Sequence, residues 1–337
     1  MTTPIDVIKF LVFNFLTIFY SACIGITIVI NYIFNSKSRF WEVKDRPEPP
    51  AALKSEEHGV HKFIQVNGIK LHYVEKGNPT KPLIVFVHGF PEFWYSWRHQ
   101  IKEFSKDYWT ITIDQRGYGD SEKPSKISEY HINNMADDIR ALVKKLGREK
   151  FILIAHDWGA AVGFNYVYRY MDTIEKYVMI GGPPSEAWKK LIVSSPKQFI
   201  MSWYIFFFQM PWLPEFVIRC NDLKSFDTMR LGSKEDVECF KYTFSKPGAL
   251  TSPINYYRAI KVLNPDPPLK KPANCAPGLF LLGEYDKYIA RSTGKLAKAE
   301  LDNLDFKLIM SANHFAQQHK PEETNRMIRE FLDKKMQ

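Results

Sequence analysis

The stretch FILIAHDWGAAVG, residues 151–163, puts a carboxylate, Asp157, where an apolar run ends and a helix-forming stretch begins. FILIAH reads as a short, fully buried β-strand. Ala155, Gly159 and Ala160 are small enough for a strained strand–turn–helix elbow, which brings backbone and side chain into close contact. An elbow of this kind holds a nucleophile above the sheet, and the usual residue there is serine. Aspartate suits other chemistry. Against an acyl group its anhydride-like product collapses back, whereas against a strained sp³ carbon it forms a covalent alkyl ester. Hydrolysing that ester needs a base and a group to orient it. Asp286 follows GLFLLGEY and His314 follows LDFKLIMSAN, so nucleophile, acid and histidine occur in the chain order expected for this architecture. Each residue also has a plainer reading. Asp157 is a possible helix N-cap, His314 a possible structural histidine with His319 as its competitor, and Asp286 has Glu284 beside it. Their coincidence at successive strand ends carries the reading. His88-Gly89-Phe90 adds an electrostatic element after the third strand, where the amides of Phe90 and Trp158 are placed to bind a developing oxyanion.

The elements that must position these groups follow from hydrophobic periodicity. HKFIQV and IKLHYVEK flank Asn67-Gly68, a type I′ hairpin signal. PLIVFVH, YWTITID, FILIAH and IEKYVMIGG read as strands. MADDIRALVKKLG and GAAVGFNYVYRYM read as helices, the first ending at Gly147. The alternation predicts an α/β domain with a mostly parallel sheet entered through an antiparallel hairpin. It breaks down over 183–268, an aromatic-rich, proline-punctuated and mostly helical stretch. GLFLLGEYD and LDFKLIM then restore buried strands, and PEETNRMIREFLDKK makes a final amphipathic helix. The expected core is therefore 60–182 plus 269–337, with 183–268 as a helical insertion over the C-terminal strand ends, where sites form in such sheets.

Residues 10–34 contain no charged side chain and are long enough to cross a bilayer as a helix. They place an anchor in 1–45, and the Pro-rich, polar stretch 46–59 reads as a linker. Lys37, Arg39, Lys44 and Arg46 follow the apolar run, against Lys9 and the amino terminus before it, which favours a cytosolic catalytic domain. Four cysteines without CxxC or metal-like spacing fit reduced thiols rather than a disulfide framework. The only Asn-x-Ser/Thr match, Asn78-Pro79-Thr80, is blocked by proline. The net charge of +9 is scattered and forms no basic block, so it points to solubility or an anionic membrane surface rather than nucleic acid. The apolar run 199–218 is interrupted by Pro211 and Pro214. It reads as lid core and substrate tunnel, with a membrane-facing lip as the other possibility.

From about Val60 onward the chain resembles an α/β-hydrolase-fold epoxide hydrolase, and in particular the membrane-anchored animal branch of the epoxide hydrolase 3 and 4 type. The motifs are HGFPEFWYSWR, DQRGYGDSEKP, AHDWGA, NYYRA and NHFAQQHKPEE. The first two are shared with haloacetate and haloalkane dehalogenases. The resemblance implies Asp157 as nucleophile, His314 as general base and Asp286 as its orienting acid. It also implies two lid tyrosines that hydrogen-bond the epoxide oxygen: Tyr204 in SWYIFFFQMP and Tyr257 in SPINYYRAI, with Tyr256 the neighbouring competitor. Trp158, Phe90 and Tyr256 are the expected substrate contacts. No metal or organic cofactor is required. The implied substrate is a lipophilic epoxide, plausibly of a fatty acid, and the implied location is the endoplasmic reticulum as a single-pass protein. A dehalogenase would use the same Asp157 and His314 but needs halide donors in place of the tyrosines. A lipid-binding receptor without turnover is the alternative from another class.

Overall fold

Asn67 and Gly68 both take positive φ, 45° and 80°, the geometry that joins two strands of matching twist. They link β1 (Val60–Val66) to β2 (Ile69–Lys76) as an antiparallel pair. The computed structural model describes residues 4–34, 40–260 and 267–334. Beyond the hairpin follow β3 (Leu83–Val87), β4 (Trp109–Ile113), β5 (Phe151–His156), β6 (Ile174–Ile180), β7 (Gly278–Gly283) and β8 (Leu304–Ile309). They form an eight-stranded sheet in the order β1-β2-β4-β3-β5-β6-β7-β8. β2 pairs antiparallel with β4, and every later pairing is parallel. Crossover connections put helices against the sheet, so every residue of β3, β4, β5 and β7 is buried.

Expected as another buried strand, β8 is not one. Only Leu304 and Ile309 are buried, Asp305 is exposed and the residues between are half-buried. The reason is position: β8 is the last strand of the sheet and has a neighbour on one side only. The helix expected around MADDIRALVKKLG starts earlier, at Ile132, because the His131 side chain accepts from the Asn133 N–H and caps it.

Between β6 and β7 the chain leaves the sheet and forms helices, among them Ser185–Ser194, Pro196–Met201, Trp203–Phe207, Leu213–Leu223, Lys234–Ser245 and Thr251–Arg258. The apolar run 199–218 is thus cut into separate short helices. Trp212, at φ 53°, sits in the left-handed region between two of them, and Pro214 lies in the first turn of the next.

At the N-terminus, Pro4–Phe34 is one continuous helix, and its stretch Val7–Phe34 is long and apolar enough to span a membrane. Lys37 and Arg39, on which the orientation expectation partly rests, lie outside the described residues. The expected linker is ordered rather than loose. Ala51–Lys54 forms a helical turn, and Arg46 binds Asp222 at 2.7 Å and Glu238 at 2.6 Å. Two lid carboxylates clamp one guanidinium, which ties the chain after the N-terminal helix to the lid. Cys23, Cys220, Cys239 and Cys275 are all free thiols.

Candidate active site

β5 ends at His156, and the next residue, Asp157, takes φ 51° and ψ −116° before the helix Trp158–Tyr170 begins. A non-glycine residue there costs roughly 1–3 kcal/mol and persists only where its surroundings hold it. Two glycines allow that hold by close approach. A Cβ on Gly89 would lie 2.4 Å from the Asp157 Cβ, and one on Gly159 would lie 2.3 Å from the Val87 carbonyl oxygen. Ala155 and Ala160 are fully buried beside the turn. The Phe90 N–H donates to Asp157 Oδ1 at 2.7 Å. Trp158 is the first residue of its helix, where backbone N–H groups have no intrahelical acceptor. The loop after β3 therefore presents a donor to one oxygen of the carboxylate.

The other oxygen, Oδ2, lies 3.4 Å from His314 Nε2. His314 Nδ1 donates to Asp286 Oδ2 at 2.7 Å, while Asp286 Oδ1 accepts from the N–H groups of Tyr288 (2.7 Å) and Ile289 (2.9 Å). The loop after β7 thus fixes the acid, and the acid fixes the ring. Of the competitors, Glu284 pairs with Arg291 at 3.0 Å, and His319 accepts from the Asn313 N–H at 3.2 Å. Burial raises the Asp157 pKa, but the hydrogen bond and charge of His314 and the Phe90 amide outweigh it and hold the carboxyl below its usual range. Burial likewise works against a charged His314, yet Asp286 and Asp157 together push its pKa well above that of a free imidazole. Both shifts favour the charged forms, a carboxylate facing an imidazolium.

A cavity of about 310 Å³ opens over the elbow, within the range of small-molecule sites. Asp157, Trp158, Tyr204, Tyr256 and Tyr257 line it together with lid residues such as Trp188. Tyr204 comes from Trp203–Phe207 and Tyr257 from Thr251–Arg258, and their rings stand 5.9 Å apart at 82°. Burial, and next the Asp157 charge, push both hydroxyls well above the ordinary tyrosine pKa, so they stay protonated as donors. Tyr256 contributes its ring, but its hydroxyl donates to the Arg116 carbonyl at 2.8 Å. The Phe90 ring, expected against substrate, instead packs edge-on against Tyr257 and Phe208, each at 5.4 Å, and is absent from the cavity lining. Its backbone faces Asp157 and its side chain supports the lid.

Sequence reasoning passed over Glu92 and His156. The Glu92 carboxylate is fully buried, lies 2.6 Å from His156 Nδ1, and accepts from the Gly89 N–H at 2.8 Å. Gln317 and Gln318 donate to its other oxygen at 2.8 and 2.9 Å. His156 Nε2 donates to the His314 carbonyl oxygen at 2.9 Å. This network braces the loop that carries the Phe90 amide against the loop that carries His314. The signal was in plain view: an acid and a histidine inside HGFPE and AHDWG, directly beside the groups already singled out. Among the described residues no group of His, Cys, Asp or Glu is arranged to hold a metal ion.

Residues 82–321 match the family model of the α/β-hydrolase fold. The chain is 35% identical over 302 residues to epoxide hydrolase 3 of Xenopus tropicalis, covering 85% of this chain and 82% of that protein. It is 36% identical over 302 residues to epoxide hydrolase 4 of Homo sapiens, covering 85% and 83%. Among solved structures, an inhibitor complex of Bacillus megaterium epoxide hydrolase is similar with a TM-score of 0.75 at 30% identity, covering 81% of this chain and 100% of that one. The chain therefore belongs to the α/β-hydrolase fold family and, within it, to the epoxide hydrolases of the 3 and 4 type.

Proposed function

We propose that this protein is an enzyme that hydrolyses lipophilic epoxides to vicinal diols through a covalent ester on Asp157. The observation that carries the reading is the pair of protonated tyrosines, Tyr204 and Tyr257, lining one cavity with an ionised aspartate. The relatives named epoxide hydrolase support the same chemistry.

With Oδ1 held by the Phe90 amide, Oδ2 is the oxygen left to attack a ring carbon. Its lone pair forms the C–O bond of the ester as the strained C–O bond breaks, and the leaving alkoxide takes its proton from Tyr204 or Tyr257. A positioned acid of this kind contributes roughly 10²–10⁴-fold. Ester formation removes the negative charge of Asp157, one of the two charges that hold His314 protonated. The imidazolium pKa falls, its proton returns to the tyrosinate that ring opening left, and neutral His314 Nε2 takes a proton from water as the water attacks the Asp157 carbonyl carbon. The Phe90 amide, with that of Trp158, stabilises the oxyanion. Its collapse expels the diol, and the proton on His314 goes to the departing alkoxide. Asp157, released as its acid, passes its proton to His314, and the resting ion pair is restored.

Fatty-acid epoxides are the substrate class this reading favours, with the N-terminal helix in the endoplasmic reticulum membrane and the catalytic domain on the cytosolic side. The test is to incubate purified protein with a panel of fatty-acid and aryl epoxides and measure diols, alongside halide release from haloalkanes. Diols without halide are expected. Halide without diols assigns the protein to the dehalogenases, and tight epoxide binding without either product makes it a receptor.

A further inference from the structure

The N-terminal helix Pro4–Phe34 does not stand away from the catalytic domain. One side of it packs against the lid helix Trp203–Phe207. Phe13 meets Phe206 with ring centroids 5.4 Å apart, and Tyr20 lies 6.0 Å from Trp203 and 6.1 Å from Phe206. Toward its other end Tyr32 meets Trp41 at 5.4 Å, and Trp41 meets Phe216 of the lid at 5.5 Å. Phe13 to Tyr32 is about 29 Å of helix at 1.5 Å per residue, close to the thickness of a bilayer's hydrocarbon core. The lid and the chain tied to it thus accompany the helix over a membrane-like distance.

The two sides of the helix differ in burial. Among the described residues Thr17 and Ser21 are buried, with Phe13, Asn14, Leu16, Tyr20, Ile24 and Gly25 half-buried along the same stripe. The hydroxyls of Thr17 and Ser21 donate to the Phe13 and Thr17 carbonyls one turn back, so they need no water. Leu11, Phe15, Ile18, Ile26 and Val29 are exposed. A packed, internally hydrogen-bonded stripe on one side and exposed bulky apolar residues on the other suit a helix with protein on one side and lipid on the other. A helix docked in this way cannot enter a bilayer without taking the adjoining lid surface with it. The lid exposes large apolar side chains: Val193 is 89% exposed, Ile200 66% and Trp212 72%. The cavity reaches the same elements. Trp188 and Lys189 line it from the helix that carries Val193, and Tyr204 and Ile205 line it from the helix that touches the anchor.

We propose that the lid is seated in the bilayer beside the N-terminal helix, with Val193, Ile200 and Trp212 in lipid, and that the cavity draws its substrate from that leaflet. The seating stands by itself, whereas the substrate route rests on the epoxide hydrolase reading. The test uses the full chain in phosphatidylcholine vesicles, with the native cysteines replaced by alanine and the fold checked by circular dichroism. An environment-sensitive fluorophore is placed at Val193→Cys, at Ile200→Cys and, as a control where the chain enters β5 at the far end of the sheet, at Glu149→Cys. Brominated acyl chains should quench the first two labels and spare the third. Unquenched labels at both lid positions overturn the seating.

The second arm is V193D/I200D, which changes exposed residues outside the catalytic groups. A charge at that depth is costly. Hydrolysis of a vesicle-borne epoxide should fall about tenfold or more, with a short water-soluble epoxide unaffected. Equal rates on both substrates overturn the route while leaving the quenching result intact. If no epoxide is hydrolysed, the functional reading fails and the quenching arm still decides the seating.

Discussion

Tyr256 and Tyr257 are consecutive, yet Tyr256 donates its hydroxyl to the Arg116 carbonyl at 2.8 Å while Tyr257 stands 5.9 Å from Tyr204, ring to ring, with Asp157 lining the same cavity. Adjacent helical residues point about 100° apart, so one phenol is held by the core backbone while the next ring meets Tyr204.

Replacing them one at a time separates those roles. Tyr256→Phe strands the Arg116 carbonyl and should cost about 1–3 kcal/mol of stability in a melting experiment, with kcat nearly unchanged. Tyr257→Phe should melt like wild type but lose about tenfold or more in kcat. Combined with Tyr204→Phe the loss should reach roughly 10²–10⁴-fold. A Tyr257→Phe enzyme with full kcat removes Tyr257 from the chemistry.

Two substitutions test the covalent route. Freshly prepared Asp157→Asn should lose about 10³-fold or more of its activity. His314→Gln should still open the ring but fail to release the product. Its denatured mass should then rise by one substrate, with the adduct on the peptide containing Asp157. Diol formed at the wild-type rate with no adduct would rule out ester formation.

The ionisation of His314 gives a pH dependence with a defined sign. Its pKa is raised by Asp286 and Asp157, and ester formation removes the second of these charges. As pH falls, the ester-state imidazole becomes protonated while Asp157, held below its usual range, is still ionised in the free enzyme. Hydrolysis should therefore slow first, and ester should accumulate on the acid side. Single-turnover Trp fluorescence reads alkylation alone, and loss of that phase at the same pH as kcat contradicts the assignment. In Asp157→Asn, a histidine NMR titration should find the His314 pKa lowered from that of the wild type.

The Glu92–His156 network makes a stability prediction. Glu92→Ala removes the acceptor for His156, the Gly89 N–H and two glutamine side chains in a fully buried site. Leaving a buried donor without its acceptor costs roughly 1–3 kcal/mol. Denaturant unfolding should show a loss of that size, well above a typical surface change.

Much of this was legible before any coordinates. Period-two and short apolar runs located the strands, Asn67-Gly68 located the hairpin, and small residues around Asp157 located the elbow, because each is a local rule about backbone geometry. The order Asp157, Asp286, His314 was readable because parallel strands deliver their ends to one edge of the sheet. β8 misled because burial depends on neighbours: the same apolar pattern is covered on both sides in β7 and on one side in β8.

The sequence by itself determined an α/β chain with a carboxylate at the nucleophile turn, a histidine and acid to serve it, and an apolar N-terminal segment. Only the tertiary structure decided that the Tyr256 hydroxyl is bound to the Arg116 carbonyl, that Glu92 and His156 brace two loops beside Asp157, and that the N-terminal helix lies along the lid rather than apart from it. Those decisions join side chains that are distant in the chain, such as Tyr20 and Trp203 or Glu92 and Gln317. Their directions are set by which faces pack together, and no local pattern carries that information.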